Sequence, residues 1–547
     1  MQQRASEALW PPADGMRRMH GSPGSYVSDA RNAARSHLMI VIALQEAPFS
    51  TSRRLKPRND DLMPARYDLI LVGTSFASAF FLMRYLERSP ATVRVLVLER
   101  GARDDKSWQL KNRRTSSIAP AEVFQNLNPD RKEWFTSPGF GGNSKCWAGG
   151  TTRMMPGDFQ LKTRYGVGLD WPMTYDDLEQ HYCTVEQVML VSGPSDSPMP
   201  RSRPPPLPPH RFSDPEVLLK QRFPDGWYQM STSRASVPTG KRGVCCATGV
   251  CELCPVDAKF TIQNGLAWVF ADPRVTLQLH SAVDTVDTAA GIARGVSYTR
   301  DGASESAEGD VVVLAASALF NPHILLRSGL NHALLGKRLG EQMPIDVTLD
   351  LAGVKCYNGS TLLSGLGYLF YEGEHRRDYA ACMIETWSSP FAYWAGAMRS
   401  EEGRWNERLL LRFLFDDLPL DDNTVTVSPT DPRMAVTRFV DYSDYAKRGA
   451  ARVPRMIDTL ATVLPIERVA ATEVGTTAAH IQGTVVMGND PASSIVDGYL
   501  VHHQYRNLLV LGASAFPTAS PAYPTMTVAA LSLWAADHLL SSSRTAS

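Results

Sequence analysis

The sequence has no apolar run long enough to cross a bilayer and no excess of charge of either sign. A membrane-spanning helix needs about 20 consecutive apolar residues, and no stretch of the chain approaches that length. The 547 residues include 56 basic and 56 acidic side chains, and no segment gathers a basic face of the kind that binds nucleic acid. The sequence therefore argues against a membrane-spanning chain and against a nucleic-acid partner.

Cysteine is also scarce, with eight residues in the whole chain, which is too few for a disulfide scaffold. Four of them crowd into the segment C-C-A-T-G-V-C-E-L-C, as Cys245, Cys246, Cys251 and Cys254. Thiols this close together can reach a common centre, and their spacing is more typical of an iron–sulfur cluster than of zinc. A loop with reduced thiols or one local disulfide explains the spacing equally, so both interpretations stay open.

The first 62 residues lack regular patterning and are rich in proline, serine, arginine and glycine. The short apolar run over 38–44 is not followed by a convincing signal-peptide cleavage site. We therefore expect residues 1–62 to be a disordered N-terminal extension and the protein to be cytoplasmic. The length of the chain exceeds what one hydrophobic core usually serves, so at least two domains are expected.

The first clear folding unit is a βαβ pattern that begins with a predicted strand over 67–72 and ends at Glu99. An acidic residue about 20 positions past the first turn is typical of dinucleotide binding, with phosphate at the helix N-terminus and the carboxylate on ribose hydroxyls. The glycine fingerprint of that turn is incomplete, because only Gly73 is present and Ser75 and Ser78 replace the other two glycines. A βαβ unit that binds no nucleotide would share this pattern.

The C-terminal part contains a histidine loop beside a second turn of small residues. His480 begins the segment H-I-Q-G-T, and the apolar run 508–511 predicts a buried strand that leads directly into Gly512 and Ala513. Apolar residues at helical spacing follow over 527–540. The arrangement indicates a cofactor site with a base beside it, although an α/β unit with a surface histidine is the simpler alternative.

Two further segments suggest how a ligand is enclosed. Residues 139–153 contain consecutive glycines followed by Asn143 and Ser144, which predicts a backbone nest able to hold phosphate or the edge of a flavin. Trp147, in the same segment, either packs on a ring system or belongs to the core. Residues 345–470 are rich in aromatic side chains and alternate in places as strands do, which predicts a second, sheet-based domain that supplies a substrate pocket.

Taken together and in this order, the motifs resemble the glucose–methanol–choline (GMC) family of FAD-dependent oxidoreductases over about residues 66–540. The motifs that carry the resemblance are the unit from Gly73 to Glu99, G-G-N-S-K-C-W at 141–147 with Arg153, W-P-M-T-Y-D-D-L at 171–178, C-P-V-D-A-K-F-T at 254–261, V-V-V-L-A-A-S-A at 311–318 leading to L-L-R-S-G at 325–329, G-K-R-L-G-E-Q at 336–342 and the stretch 480–527. Within the family, the chain is most similar to the large subunits of bacterial sugar and gluconate dehydrogenases. Some of those proteins carry an iron–sulfur cluster on the cysteine loop.

The resemblance implies an α/β fold in which an FAD/NAD(P)-binding Rossmann-like domain intertwines with a sheet-based, α+β substrate domain. The FAD-binding domain would be discontinuous and comprise residues 66–150, 240–345 and 471–540. The substrate-binding domain would comprise residues 151–239 and 346–470.

The resemblance also implies an activity, the oxidation of an alcohol group of a sugar, a polyol or another alcohol by hydride transfer to flavin. His480 matches the family's base, and an imidazole can accept the alcohol proton as the hydride departs. Electrons would pass to a non-oxygen acceptor, with a small subunit or a cytochrome as candidate partner, so a dehydrogenase is favoured over an oxidase. The alternatives are a flavoprotein lyase of the same fold and a degenerate member that serves as a partner subunit. Export to the periplasm together with a partner is the alternative to the cytoplasm.

Carried over residue by residue, the resemblance assigns FAD contacts to a set of small and polar positions. They are Gly73, Ser75, Ser78, Glu99, Gly141, Gly142, Asn143, Ser144, Trp147, Val283, Gly512, Ala513, Thr525 and Met526. Cys146 lies where several relatives have a histidine bonded covalently to FAD, so we expect non-covalent FAD. Tyr523 replaces the asparagine or histidine of the second catalytic position. Its hydroxyl either holds the substrate oxygen or marks altered chemistry.

Overall fold

The computed structural model describes residues 66–388 and 404–545, so the predicted disordered extension over 1–62 lies outside the described residues. The strands are β1 (Arg66–Val72), β2 (Val95–Leu98), β3 (Phe124–Asn126), β4 (Trp227–Gln229), β5 (Val275–Gln278), β6 (Ser281–Ala289), β7 (Ile292–Arg300), β8 (Ala303–Leu314), β9 (Met343–Leu351), β10 (Leu363–Phe370), β11 (Cys382–Trp387), β12 (Arg408–Phe415), β13 (Thr424–Val427), β14 (Ala435–Arg438), β15 (Ile466–Val474) and β16 (Leu508–Val510). The helices are α1 (Phe76–Arg88), α2 (Lys106–Asn112), α3 (Leu161–Tyr165), α4 (Tyr175–Met189), α5 (Asp214–Arg222), α6 (Ile262–Gly265), α7 (Phe320–Arg327), α8 (Asp444–Ala450), α9 (Val453–Leu460) and α10 (Pro524–Thr545).

The first sheet has seven strands in the order β5-β2-β1-β8-β7-β6, and β16 also pairs with β8. Strands β5, β2, β1, the end of β8 and β16 run parallel, whereas β6, β7 and the start of β8 form an antiparallel extension. The chain leaves β1 toward β2 on one side and reaches β8 on the other. The carboxyl ends of β1 and β8 therefore flank the crevice in which α/β sheets bind ligands.

The parallel strands read as continuous apolar runs because helices cover the sheet and bury it. Helix α1 is apolar on nearly every side, and its first eight residues are all buried. Helix α10 packs along α1 and also along α4, and Thr174 starts α4 by accepting a hydrogen bond from the amide of Asp177. The C-terminal helix is thus part of the main core rather than an appendage.

The second sheet has six antiparallel strands in the order β15-β9-β12-β11-β10-β4. Because side chains alternate along a strand, its two faces belong to different cores. The odd-numbered residues of β12, from Leu409 to Phe415, join one core cluster together with residues of α8 and α9. Leu410 and Leu414 belong instead to the core that contains the first sheet. Arg412 lies between them on that same face.

Charged side chains form a row across this second face. Glu385 of β11 lies opposite Arg412 of β12, and Arg412 lies opposite Asp346 of β9. The Arg412 guanidinium makes two hydrogen bonds with the Asp346 carboxylate, at 2.7 and 2.8 Å. The face of the six-stranded sheet that packs toward the first sheet therefore carries a row of charged groups, whereas the opposite face is apolar at these strands.

The predicted mixed α/β fold class is confirmed. All strands of the seven-stranded sheet lie inside the segments assigned to FAD binding, but β9 and β15 extend a few residues beyond the segments assigned to the substrate domain. The domain boundaries remain a prediction. A smaller sheet in the order β13-β14-β3 combines one strand from the segments assigned to FAD binding, β3, with two strands from the segments assigned to the substrate domain. Among residues 66–388 and 404–545, the helices are all too short or too polar to traverse a bilayer.

Candidate functional site

The first part of the site lies at the carboxyl end of β1. Gly73 adopts a φ of +97°, and a Cβ at this position would lie 2.7 Å from the carbonyl oxygen of Ala315. Glycine is therefore required where the chain leaves β1 beside the end of β8. Ser75 begins α1 without a side-chain cap, so its hydroxyl does not occupy the first amides of the helix, which are the groups that bind phosphate at a helix N-terminus.

Glu99 lies at the end of β2 and ties the predicted cofactor segments together. Its carboxylate accepts hydrogen bonds from the hydroxyl of Thr74 at 2.7 Å and from the backbone amides of Gly101 and Gly139 at 3.2 and 3.0 Å. Its predicted role as a ribose ligand stays a prediction. In the structure, the carboxylate positions the turn after β1 against the glycine-rich segment.

The glycine-rich segment packs directly on the turn after β1. The amide of Gly141 donates to the hydroxyl of Thr74 at 3.0 Å, and a Cβ on Gly142 would lie 2.7 Å from that of Ser75. Ser144 donates its hydroxyl to the carbonyl of Gly141 and accepts the amide of Ile262. Asn143 accepts the amide of Ser137 at 2.9 Å. The nest expected from the sequence is thus a short turn held from both sides.

Trp147 is fixed by a hydrogen bond and by a contact with another aromatic ring. Its indole nitrogen donates to the carbonyl of Phe260 at 2.8 Å, and its ring makes an edge contact with Phe76 at 4.6 Å between centroids. The Lys259 ammonium donates to the carbonyls of Lys145 and Trp147. The tryptophan therefore borders the start of α1 and has a structural role there in addition to any contact with a ligand.

The remaining predicted contacts approach from the C-terminal strand and helix. Gly512 has a φ of +102°, and an added Cβ would meet only the Cβ of Ala77, at 4.0 Å. Ala513 accepts the amide of Gly483 at 2.9 Å. Thr525 and Met526 lie in the first turn of α10. Val283 is buried in β6, two residues after Ser281, whose amide donates to the carbonyl of Glu99.

Two buried hydroxyl groups test whether these segments suit a dinucleotide. Ser78, in the first turn of α1, and Thr151, in the glycine-rich segment, are both inaccessible to solvent. Within the described part of the chain, neither hydroxyl has a hydrogen-bond partner. Buried polar groups are normally satisfied, so an additional polar group would complete these two unpaired hydroxyls, which lie in segments predicted to contact the cofactor. The residues present therefore fit FAD.

His480 lies in a loop between the two sheets, next to Tyr523. The two ring centroids are 5.0 Å apart and the planes are inclined at 47°. Burial of the imidazole lowers the pKa of His480 to about 4, and the charges of Arg412 and Lys132 act in the same direction while Glu341 opposes them. The ring is consequently neutral near pH 7, which is the state that a base requires.

Gln342 determines which nitrogen of His480 carries the proton. The Gln342 amide nitrogen donates to the carbonyls of Ser520 and Ala522, at 2.7 and 2.9 Å. Its oxygen therefore faces Nδ1 of His480, at 3.1 Å, and can only accept. Nδ1 must be the protonated nitrogen, so Nε2 is the nitrogen able to accept a proton from a substrate.

A buried ion pair holds the backbone of the histidine loop. The Glu341 carboxylate accepts the amides of Ala478 and His480, at 2.9 and 2.8 Å. The same carboxylate forms an ion pair with Lys132, and both side chains are inaccessible to solvent. Burial lowers the pKa of the Lys132 ammonium, and the nearby Glu341 charge opposes that shift. We did not predict this pair, although Glu341 lies in the G-K-R-L-G-E-Q motif.

Tyr523 has an acidic partner that we also did not predict. Its hydroxyl donates to the Glu385 carboxylate at 2.5 Å, and both residues are 4% exposed. Burial and the negative charge of Glu385 raise the pKa of Tyr523 well above its ordinary value, so the phenol stays protonated. Gly150 makes room for the ring, because a Cβ there would lie 2.5 Å from a ring carbon of Tyr523.

The cysteine loop does not form the predicted metal centre. Cys245 contacts Thr361, Cys246 contacts Thr248, and the Cys254 sulfur accepts the amide of Ala258. The thiols thus have separate partners, and across residues 66–388 and 404–545 no group of three or more metal-binding side chains is assembled. The residues as arranged do not fit an iron–sulfur cluster. All four cysteines are free thiols in the structure.

Cys146, which replaces the flavin-linking histidine of some relatives, is a poor nucleophile. Burial raises the pKa of its thiol to about 11, so the thiolate is a rare species near neutral pH. Its sulfur donates to the carbonyl of Asn143. Non-covalent attachment of FAD stays a prediction.

The fold and this site define a class. A dinucleotide crevice at the end of a parallel sheet, with a neutral histidine between it and an antiparallel sheet, is the arrangement of a nucleotide-cofactor-dependent oxidoreductase. Residues 225–344 match the N-terminal family model described as GMC oxidoreductase, and residues 419–532 match the C-terminal one. The chain belongs to the GMC oxidoreductase family, whose members bind FAD. The resemblance drawn from the motifs is thereby confirmed.

Relatives and solved structures agree with this placement. The chain is 25% identical over 539 residues to the fructose dehydrogenase large subunit of Gluconobacter japonicus, covering 86% of this chain and 97% of that protein. It is 25% identical over 544 residues to the 2-methyl-1,2-propanediol dehydrogenase of Mycolicibacterium austroafricanum, covering 86% and 95%. The structure of a formate oxidase from Aspergillus oryzae superimposes with a TM-score of 0.60 at 14% identity, over 89% of this chain and 100% of that one.

Proposed function

We propose that the protein is an FAD-dependent dehydrogenase that oxidises an alcohol group, with His480 as the base and a non-oxygen electron acceptor. The observation that carries the proposal is the neutral imidazole of His480, held by Gln342 and placed beside Tyr523. The substrate class is a sugar, a polyol or another alcohol.

The cofactor contacts assigned above would hold FAD in the crevice at the carboxyl ends of β1 and β8. A bound FAD supplies the acceptor for the hydride that leaves the alcohol carbon. Around it, the chain contributes the proton acceptor at Nε2 of His480, the tautomer set by Gln342 and a loop backbone fixed by Glu341. General-base help of this kind raises rates by roughly 10²–10⁴.

Two of the relatives support a dehydrogenase, since they bear that name, whereas the formate oxidase shares only the fold with this chain. The name "large subunit" of the fructose dehydrogenase further supports a partner subunit for this chain, and we propose a small subunit or a cytochrome as the electron acceptor. Rapid reduction under anaerobic conditions, followed by fast reoxidation with a dye but slow reoxidation with oxygen, would be expected of a dehydrogenase. Equally fast reoxidation by oxygen would make the protein an oxidase.

The decisive experiment mixes the purified flavoprotein anaerobically with a panel of sugars, polyols and simple alcohols. Bleaching of the visible flavin absorbance by a panel member supports the proposal. Turnover without bleaching indicates a lyase, and protein that purifies without flavin and gains none on addition of FAD indicates a degenerate family member.

His480→Ala provides the matching test of the base. The variant should retain flavin and lose about 10²–10⁴ of the rate of anaerobic reduction, because it removes the imidazole that is proposed to accept the alcohol proton. His538→Ala is the control. His538 lies in the C-terminal part of α10, where its ring stacks on Tyr499, and its removal should leave the rate of anaerobic reduction unchanged. Wild-type rates in His480→Ala would remove His480 from the mechanism.

A further inference from the structure

The hydroxyl of Tyr523 has a single hydrogen, and the structure directs it at Glu385. The distance from the phenol oxygen to Oε1 is 2.5 Å. A phenol that donates to a carboxylate cannot donate to a second acceptor at the same time. While Glu385 is ionised, Tyr523 therefore offers a substrate only the lone pairs of its oxygen.

The second carboxylate oxygen is occupied by a donor. The indole nitrogen of Trp387 donates to Oε2 of Glu385 at 3.1 Å. A proton that binds to this carboxyl group is consequently directed to Oε1, the oxygen that faces Tyr523. Protonation would then reverse the hydrogen bond, because the carboxylic acid becomes the donor and the phenol oxygen the acceptor.

We propose that Glu385 is a positioning residue whose proton decides the direction of the Tyr523 hydroxyl. When Glu385 is ionised the phenol hydrogen is held away from the substrate, and when Glu385 is protonated that hydrogen is released toward the alcohol oxygen beside His480. The inference rests on the proposed function for the identity of the substrate group. The orientation of the pair is independent of it.

The surroundings favour a protonated carboxyl group to higher pH than usual. Burial is the largest influence and raises the pKa of Glu385, and Asp346 acts in the same direction. The charge of Arg412 and the hydrogen bonds from Tyr523 and Trp387 oppose this shift, and the net direction is upward. On the side of Tyr523, the charge of Arg234 lowers the pKa of the phenol and Tyr368 raises it. His480, which is neutral above pH 4, adds no charge near pH 7.

The proposal predicts that kcat/KM falls on the high-pH side of its pH profile. His480 must be neutral and Glu385 must be protonated, so kcat/KM should rise with pH as His480 loses its proton and fall as Glu385 loses its own. The profile of kcat/KM reports these groups in the free enzyme. We expect the falling limb to lie above the ordinary pKa of a glutamic acid.

Glu385→Gln tests the proposal directly. The Trp387 donor should hold the amide oxygen, so the amide nitrogen faces Tyr523 and donates permanently. The phenol hydrogen is then always available, and the falling limb should disappear while kcat/KM at its maximum stays within a few fold of wild type. Tyr523→Phe should instead lose about 10²–10³ in kcat, the usual cost of one transition-state donor, and should also lose the limb.

Glu216→Gln is the matched control. Glu216 is a second buried glutamate, and burial raises its pKa to about 7, but its carboxylate serves Ser213 and Ser364 rather than Tyr523. The falling limb should persist in this variant. Flavin content and thermal unfolding of each variant verify that the fold is retained.

Infrared difference spectroscopy gives a readout that needs no turnover. The carbonyl stretch of protonated Glu385 should titrate on raising the pH, as a component of the difference spectrum that is lost in Glu385→Gln and kept in Glu216→Gln, whereas Glu216→Gln should lose a separate component of its own. A falling limb unchanged in Glu385→Gln, or a Glu385 band absent across the pH range, would overturn the proposal. A titrating Glu385 band in a protein that oxidises no alcohol would instead refute the proposed function.

Discussion

At the scale of single residues, the orientation of one amide decides the chemistry of the base. Gln342 donates to two backbone carbonyls and so presents its oxygen to His480. The histidine is kept neutral by burial and is protonated only on Nδ1. Gly150 is a second decisive residue, because the absence of a side chain there leaves space for the ring of Tyr523.

Gln342→Glu should raise the pKa of His480 above its value of about 4, because a carboxylate next to Nδ1 stabilises the imidazolium. The rising limb of kcat/KM should shift to higher pH, so activity at acidic pH should fall further than activity at neutral pH. Gln342→Met, which lacks both charge and hydrogen bonds, is the comparison. If both variants show the same rising limb as wild type, Gln342 does not influence the base.

Gly150→Ala should displace the ring of Tyr523, because the new methyl group would lie 2.5 Å from it. Overpacking of this kind typically costs about 1–3 kcal/mol in the free energy of unfolding, and kcat/KM should fall because the displaced ring moves its hydroxyl away from its position beside His480. Gly340→Ala is the control, since an added Cβ there meets no atom within 4 Å. Urea unfolding and steady-state kinetics measure the two effects, and equal stability of both variants would contradict the steric argument.

At the scale of secondary-structure elements, the loop that carries His480 is held by a buried ion pair in addition to backbone hydrogen bonds such as that between Gln482 and Gly340. Glu341 follows α7 and precedes β9, and it accepts two amides of the loop. Lys132 belongs to a different segment and also donates to the hydroxyl of Tyr442 at 2.6 Å. Neighbouring aromatic rings surround its ammonium, so the pair is sealed from water.

Lys132→Met should destabilise the protein by about 3–5 kcal/mol, because it leaves the Glu341 carboxylate buried without a counter-charge. The double variant Lys132→Met/Glu341→Gln should recover part of that loss, since it removes both charges. Chemical denaturation of the four proteins in the cycle gives the coupling free energy. Additive effects of the two substitutions would mean that the pair does not act as a unit.

At the scale of the whole molecule, two sheets of different construction meet around one polar site. The parallel sheet provides the crevice at the ends of β1 and β8, and the antiparallel sheet turns the row of Glu385, Arg412 and Asp346 toward it. The contacts assigned to FAD come from both ends of the sequence, from Gly73 to Met526. A ligand bound there would hold distant parts of the chain together.

Removal of FAD should therefore lower the thermal midpoint, and addition of FAD should restore it. A ligand that binds only the native state adds about 2.7 kcal/mol of stability at one hundred times its Kd. NAD at the same concentration is the control and should have a much smaller effect. Differential scanning fluorimetry of the apoprotein against ligand concentration measures both, and a midpoint indifferent to FAD would contradict the assigned crevice.

Local patterns in the sequence were sufficient to predict the first folding unit and the C-terminal strand and helix. The βαβ unit predicted from residue 67 to Glu99 is present as β1, α1 and β2, and the run after residue 508 forms β16 and leads into α10. These features depend on short windows, where residue periodicity, glycine turns and helix capping are sufficient. His480 could be predicted as the base because its motif is local too.

The partners of the candidate site residues, in contrast, could be identified only in the folded chain. The partners of His480 and Tyr523, namely Gln342 and Glu385, are each 138 positions away in the sequence, and Lys132 meets Glu341 only through folding. The cysteine loop shows the converse, because closely spaced thiols suggested a cluster that the folded backbone does not assemble. Proximity in sequence fixes neither the direction of a side chain nor its partner, since both depend on how separate strands and loops pack in three dimensions.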